Sequence, residues 1–531
     1  MTEAFETLGG LGIFLLGVVI MTAGLKGVAG DALRAALTRS THSPLSGACT
    51  GAISTAILQS SSATTVAAVG FVGAGLLTFP QALGIIFGAN VGTTMTGWLV
   101  TLLGFKLKLG TVVLPLILAG VLMHLFGKGR LQQGGLALAG FGLIFVGIAT
   151  MQAGMSSMQG QITPDFFPSD NLFGRLQLVL IGIAITLVTQ SSSAGVAAAL
   201  TAVHTGTISF EQGAAMVIGM DVGTTATALF ATVGGAAEAR RTGYAHVVYN
   251  LITGLGAFLL LSPYVWLWNV LAPGQLADQA EIALVAFHTG FNILGVMLVL
   301  PMAHPFARFM FRLVPDVQTG LTRHLDTHLL SDPFIALEAL RTTEEAIFRA
   351  QLDLASDVLG SRNRQLPEQL EEIALALDAT ERFLDQIHSQ PERQREWQLL
   401  MACMHGLDHM ARFNHRLSRA LSSEPRHVEP SAQTLHLVAD SVRRIGEAPH
   451  WQSAAQISGE LAALVEVGYR TMRDETMSEI AAGQIDTDAG GNRLDADRWL
   501  SRVSHHIWRI SHHLQLADDA SYRDSPALES D

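Results

Sequence analysis

Gln59-Ser60-Ser61-Ser62-Ala63 recurs in the same chain as Gln190-Ser191-Ser192-Ser193-Ala194. At the same offset, Gly88-Ala89-Asn90-Val91-Gly92-Thr93-Thr94 recurs as Gly219-Met220-Asp221-Val222-Gly223-Thr224-Thr225, and Thr55/Thr186 and Thr96/Thr227 keep the register. Two motif pairs at one spacing point to an internal duplication. Both QSSS segments lie inside apolar runs. Four consecutive hydrogen-bonding side chains cannot share one helix face, and an unpaired polar group in hydrocarbon costs several kcal/mol. The backbone is therefore expected to break at each QSSS and to line a cavity enclosed by protein. Small polar residues also tighten helix–helix contacts, which would suffice for one such motif. Matched, interrupted hydrophobic segments point instead to the central site of a transporter.

The surroundings of the motifs are membrane-like. No Asp, Glu, Lys or Arg occurs between Arg39 and Lys106, and shorter uncharged runs separate Arg175 from Glu211, Arg241 from Asp278 and Glu281 from Arg308. About 20 apolar residues make one bilayer crossing, so these runs hold several. The 531-residue chain has 49% hydrophobic residues, a mean hydropathy of +0.35 and 15% charged residues. An ordinary soluble domain carries about a quarter charged residues, which excludes one large soluble enzyme. The two cysteines, Cys49 and Cys403, read as free thiols. Residues 1–313 have a net charge of +2 and residues 314–531 one of −14, so a membrane part precedes a soluble part. Leu8–Leu25 reads as a retained first helix, being too long for a signal core and flanked by Glu3 and Glu6. Basic clusters at Lys26/Arg34/Arg39, Lys106/Lys108, Lys128/Arg130, Arg240/Arg241 and Arg308/Arg312 are all expected in the cytoplasm by the positive-inside rule. The C-terminal part is then cytoplasmic and the membrane the cell (inner) membrane.

The residue types suggest the cargo. Ser and Thr hydroxyls donate to an anion and offer lone pairs to a cation. A broken helix presents free N–H groups at one half-helix end and carbonyls at the other. The amides of Gln59, Gln190 and Asn90 can serve either ion, and glycines 88, 92, 219 and 223 let backbones approach closely. A small tetrahedral oxyanion with a hard monovalent cation fits this set.

These paired elements resemble the type II sodium–phosphate cotransporter family as represented in bacteria, over roughly residues 5–312. The resemblance implies an all-α, polytopic inverted-repeat fold with broken or re-entrant helices, its repeats at about 5–150 and 151–313. It implies phosphate at Gln59, Ser60, Ser61, Ser62, Thr64, Gln190, Ser191, Ser192 and Ser193. It implies Na+, the coupling ion, at Gln59, Ser61, Thr65, Asn90, Thr93, Thr94, Gln190, Ser192, Asp221, Thr224 and Thr225. The family's second element usually has Asn where this chain has Asp221, and a carboxylate inside a membrane is a functional hypothesis by default. His246-x-x-x-Asn250 and His288-x-x-x-Asn292 place His and Asn on one helix face. Hydrogen bonds between packed helices explain them best, so Asn250 and Asn292 are secondary candidates.

Residues 314–516 show apolar spacing of three and four throughout, as in a bundle of amphipathic helices, and 517–531 read as a disordered tail. The pattern, its position and the run Trp499–Leu514 resemble a PhoU-like domain, although its acidic metal-binding pattern is not evident. His405/His409 and His505/His506/His512/His513 have helical spacings that can bind Zn2+. Without Cys or clustered carboxylates to complete a shell, no metal site is expected. An acidic part without Lys does not suit nucleic acid. GxxxxGK[ST], GxSxG and HExxH are absent, and QSSS lacks the base and acid a nucleophile needs. The expectation is therefore a transporter without enzymatic activity or resident cofactor, coupling phosphate to Na+, with the C-terminal bundle as regulator. A homodimer and a regulatory protein at the bundle are candidate partners beside the lipid bilayer. Transport of another oxyanion, phosphate export, and a membrane-anchored phosphate sensor are the alternatives.

Overall fold

The computed structural model describes residues 2–110, 112–230, 232, 237–314, 320–360, 366–389, 393–422 and 432–521. The chain divides into two compact units, Met1–Val72 with Leu77–Val317, and Gly73–Leu76 with Gln318–Asp531.

The first unit is all-α. Its helices are α1 (Thr2–Arg39), α2 (Pro44–Leu58), α3 (Ser61–Gly73), α4 (Phe79–Leu99, continued by a π-helical turn Val100–Lys106), α5 (Leu114–Phe126), α6 (Arg130–Ser157), α7 (Leu172–Thr189), α8 (Ser192–His204), α9 (Phe210–Phe230), α10 (Ala237–Leu271), α11 (Gln275–Asp278), α12 (Ala280–Val299) and α13 (Ala303–Leu313). Among the described residues, seven helices are long and apolar enough to cross a membrane. The chain is a polytopic membrane protein.

The offset between the paired motifs carries α2, α3 and α4 onto α7, α8 and α9 with their C-terminal ends in register: Leu58 onto Thr189, Gly73 onto His204 and Leu99 onto Phe230. In each set the first and third helices run side by side in parallel. A Cβ built on Gly84 would lie 2.0 Å from Pro44 O, and one on Gly88 would lie 1.9 Å from Ala48 O. In the second set, Gly219 meets Val179 O at 2.0 Å and Gly223 meets Ile183 O at 3.1 Å. The short middle helix must therefore run back along the first. At about 1.5 Å per residue, α3 spans roughly 20 Å of a hydrocarbon layer about 30 Å thick. α2–α3 and α7–α8 are thus helical hairpins that double back within the membrane.

The relation between the two sets is written in α1 and α6. They match at an offset one position shorter than that of the motifs, which aligns Gly10/Gly140, Gly17/Gly147, Met21/Met151 and Gly24/Gly154. They also pack antiparallel on these glycines. A Cβ at Gly10 would lie 2.4 Å from Met151 N, and one at Gly140 would lie 2.3 Å from Met21 N. Likewise Gly17 faces Ile144 N at 2.7 Å and Gly147 faces Phe14 N at 2.4 Å. Each contact is the image of another under exchange of the two helices, which defines a local two-fold axis. Because the related helices are antiparallel, the axis crosses them, and the repeats are inverted. The second repeat accordingly begins with α6, at Arg130, and not at 151 as expected.

Following the crossings from α1, the chain alternates between the ends of the unit. α5 packs antiparallel to α6, with Gly120 against Ala139 N and Gly135 against His124 N. Nine of the unit's twelve basic residues, Lys26, Arg34, Arg39, Lys128, Arg130, Arg240, Arg241, Arg308 and Arg312, fall at the end where α1 finishes. Lys106 and Lys108 do not, because α4 starts at that end and crosses to the other. There Lys106 Nζ pairs with Glu281 Oε1 at 3.0 Å, at the start of α12. The expectation that all five clusters share one side is corrected for this pair.

The second unit is a helical bundle of α14 (Pro333–Gly360), α15 (Leu366–Leu384), α16 (Gln394–Ser422), α17 (Ala432–Gly446), α18 (Trp451–Ala481) and α19 (Thr487–Ala520) around Phe348, Phe413, Leu500 and Ile507. α19 runs past the expected start of the tail and buries Ala517 and Ala520. Residues 522–531 of that tail lie outside the described residues. His409 Nδ1 lies 3.2 Å from His506 Nδ1, but among the described residues no three His, Cys, Asp or Glu side chains are placed to hold a metal ion.

Candidate functional site

Each QSSS is a break between two half-helices, made in the same way. Gln59 ends α2 in the left-handed region at φ 53°, ψ 33°, and Gln190 ends α7 at φ 52°, ψ 23°. That conformation costs an L-residue roughly 1–2 kcal/mol. It is held by the side chain: Gln59 Nε2 donates to Ala56 O and Gln190 Nε2 to Leu187 O, both at 2.6 Å. The next serine caps the following helix. Ser60 Oγ accepts from Ala63 N at 3.3 Å, and Ser191 Oγ from Ala194 N at 3.2 Å. Ser61, Ser62, Ser192 and Ser193 then occupy the first turns of α3 and α8, beside N–H groups that a helix cannot satisfy internally. Such an end attracts anions.

The amide oxygens of the glutamines join the breaks to α4 and α9. Thr96 Oγ1 donates to Gln59 Oε1 at 2.8 Å, and Thr227 Oγ1 lies 3.5 Å from Gln190 Oε1. Thr96 Oγ1 also lies 3.4 Å from Ser193 Oγ. One threonine thus links the first QSSS to the second. Gln59, Ser61 and Ser192 are buried, Ser193 is half-buried and Gln190 is exposed.

The threonines of the glycine-threonine elements bond within their own helices. The hydroxyls of Thr93, Thr94, Thr224 and Thr225 donate to the backbone of their own helices, at Ala89, Val91, Met220 and Val222, over 2.7–3.0 Å. Thr64 bonds Thr55 at 3.0 Å, whereas the buried Thr65 hydroxyl has no partner among the described residues.

Asn90 and Asp221, equivalent in the repeats, anchor a buried polar network with the two His-x-x-x-Asn pairs. Asp221 accepts from Asn292 Nδ2 at 2.7 Å and pairs with His288 Nε2 at 3.0 Å. Asn90 Nδ2 donates to Asn250 Oδ1, Asn250 Nδ2 donates to the Asp221 carbonyl at 2.8 Å, and His246 Nε2 stands 3.4 Å from Asn90 Oδ1. The pairs on α10 and α12 therefore do bond between packed helices. Sequence reasoning missed the role of Thr96 and the linking of both pairs to Asn90 and Asp221. The shared register of Thr96 and Thr227 was the available signal for the first, and the common HxxxN spacing for the second.

The chain matches the model of the Na+/Pi-cotransporter family over residues 13–153 and 169–270. YqeW of Bacillus subtilis (strain 168), an uncharacterized protein, is 32% identical over 309 residues, which is 57% of this chain and 95% of that protein. YjbB of Escherichia coli (strain K12), whose name proposes inorganic phosphate export, is 30% identical over 345 residues, 64% of this chain. That alignment spans 61% of YjbB, as does the one with its Salmonella typhimurium namesake. No solved structure matches the chain. The match over both repeats, with their paired QSSS breaks, means that the chain belongs to the Na+/Pi-cotransporter family, a family of membrane phosphate transporters rather than of enzymes.

Proposed function

We propose that the chain moves inorganic phosphate across the cell membrane and that its net direction is outward. The observation that carries the site is the pair of left-handed breaks at Gln59 and Gln190, linked through Thr96 and Ser193. Phosphate takes the first turns of α3 and α8, where helix N–H groups and the hydroxyls of Ser60–Ser62 and Ser191–Ser193 meet. The outward direction rests on the name of YjbB. The cytoplasmic placement of the end where α1 finishes rests on its nine basic residues. The C-terminal unit follows α13 in the chain and would act as the regulator.

Na+ is the coupling ion in this reading. A threonine hydroxyl that donates to its own helix keeps lone pairs for a cation, so Thr93, Thr94, Thr224 and Thr225 stay candidates beside Thr65, Asn90 and Asp221. A cation bound with the anion offsets the cost of burying a dianion. Na+-driven uptake is the second reading, favoured by the description of the family model.

Cells expressing the chain and preloaded with radiolabelled phosphate should release label faster than cells carrying Ser61→Ala with Ser192→Ala at equal membrane abundance. Faster accumulation instead of release would reverse the direction, and equal rates would remove those serines from the site. Purified protein in liposomes, with a Na+ gradient against a matched K+ gradient, tests coupling separately. Equal fluxes under the two gradients would exclude Na+.

A further inference from the structure

The acidic second unit carries a concentrated basic feature. Between α18 and α19 lies an open cleft of about 590 Å3, within the range of small-ligand sites. Three arginines line it, Arg470, Arg498 and Arg502, with a single acidic residue, Glu466. Glu466 is already committed: it accepts from Arg470 Nε at 2.8 Å and from Ser501 Oγ at 2.9 Å. Those bonds hold its carboxyl below the usual range, so it stays charged. Arg498 pairs with Asp495 at 3.0 Å and reaches Tyr469 OH at 3.3 Å, leaving donors unused on its five-donor fork. Arg502 is exposed, and its charge acts on both Glu466 and His505. The local charge is thus positive in a part of the chain whose net charge is −14.

The cleft also has a flat wall. Trp508 and Tyr469 line it together with Gly459, Ala462 and Ala463; the Arg509 guanidinium over the Trp508 ring at 5.6 Å and the His512 ring at 6.4 Å do not line the cleft. A Cβ at Gly459 would lie 3.2 Å from the Trp508 indole nitrogen, so the glycine lets the indole lie close to α18. Forked cations suit phosphate oxygens, and an indole face suits a planar base.

We propose that this cleft is a nucleotide site, in which Arg498 and Arg502 hold the phosphates and Trp508 stacks on the base. The site lies wholly in the second unit and does not rest on the transport reading above.

The test is equilibrium binding of a fluorescent adenosine diphosphate analogue to the full chain in lipid nanodiscs, competed by unlabelled nucleotide and by inorganic pyrophosphate. Saturable binding is expected, weakened at least tenfold by Arg502→Ala. Trp508→Leu should weaken the nucleotide at least tenfold and change pyrophosphate competition less than threefold. Ser61→Ala, in the other unit, should change neither. An unchanged melting temperature of Arg502→Ala, an exposed side chain, confirms that the variant is folded. Absence of saturable binding, or binding that Arg502→Ala leaves intact, overturns the site. Equal affinity for pyrophosphate and nucleotide in the unmodified chain overturns the base-stacking part.

Discussion

Thr96 Oγ1 has one proton and two lone pairs, and it uses the proton on Gln59 Oε1 while facing Ser193 Oγ. Thr96→Val keeps the shape and removes both interactions. The stability cost should be about 0.5–1.5 kcal/mol, too little to empty the membrane of protein, while phosphate turnover falls several-fold. Thr227→Val removes only the longer 3.5 Å contact and should have the smaller effect; equal losses would mean that the link between the breaks does not set turnover. Asp221 poses a different question, because its repeat partner is the neutral Asn90. Asp221→Asn keeps an acceptor for Asn292 or His288 but removes a charge from a buried network. If that charge serves Na+, half-saturation by Na+ should rise at least tenfold and the phosphate KM should change less. An unaltered Na+ dependence would leave Asp221 as the structural partner of His288 and Asn292.

The helix pair α1/α6 owes its closeness to glycine. Any side chain at Gly140 starts 2.3 Å from Met21 N, while a Cβ at Gly12 meets nothing within 4 Å. Gly140→Leu should therefore push the helices apart and lower the melting temperature of the purified protein by the equivalent of at least about 1–3 kcal/mol. Gly12→Leu should leave it within about 0.5 kcal/mol. Similar melting temperatures for the two variants would show that this contact does not hold the repeats together. The same pair shows where sequence reading stops. QSSSA and GxxVGTT are rare strings whose recurrence declares itself, so the breaks at Gln59 and Gln190 were legible. The match of α1 to α6 consists of Gly, Leu, Ala and Met, which any membrane helix contains, and it sits one position out of the register of the motifs. That is why sequence reading sets the second repeat at 151, well inside α6, rather than at the helix's start. The His-x-x-x-Asn pairs were visible as shared faces, but periodicity within a helix does not say which neighbour that face meets. Their convergence on Asn90 and Asp221 is a property of packing.

For the first unit as a whole, the two-fold relation of α1 and α6 makes a statement about sidedness. α1 ends where the loop before α2 begins, and α6, antiparallel to it, ends where the loop before α7 begins. The two hairpins then enter the membrane from opposite faces, and their breaks meet within it. Alternating access needs this arrangement, since exchanging the roles of the two repeats exchanges the open side. His42 and Asp165 are exposed residues of the two loops. In a chain with Cys49→Ala and Cys403→Ala, His42→Cys and Asp165→Cys should react with a membrane-impermeant thiol reagent from opposite sides. In intact cells stripped of their outer layers, only Asp165→Cys should label; His42→Cys should label after permeabilisation, because it lies at the end that holds Lys26, Arg34, Arg39, Lys128 and Arg130. The reverse pattern would keep the inverted repeat and overturn the orientation, placing the exit of α13 outside the cell and removing the cytoplasmic regulator. Labelling of both from one side would break the inversion itself, and with it the reason for the two hairpins to form one site.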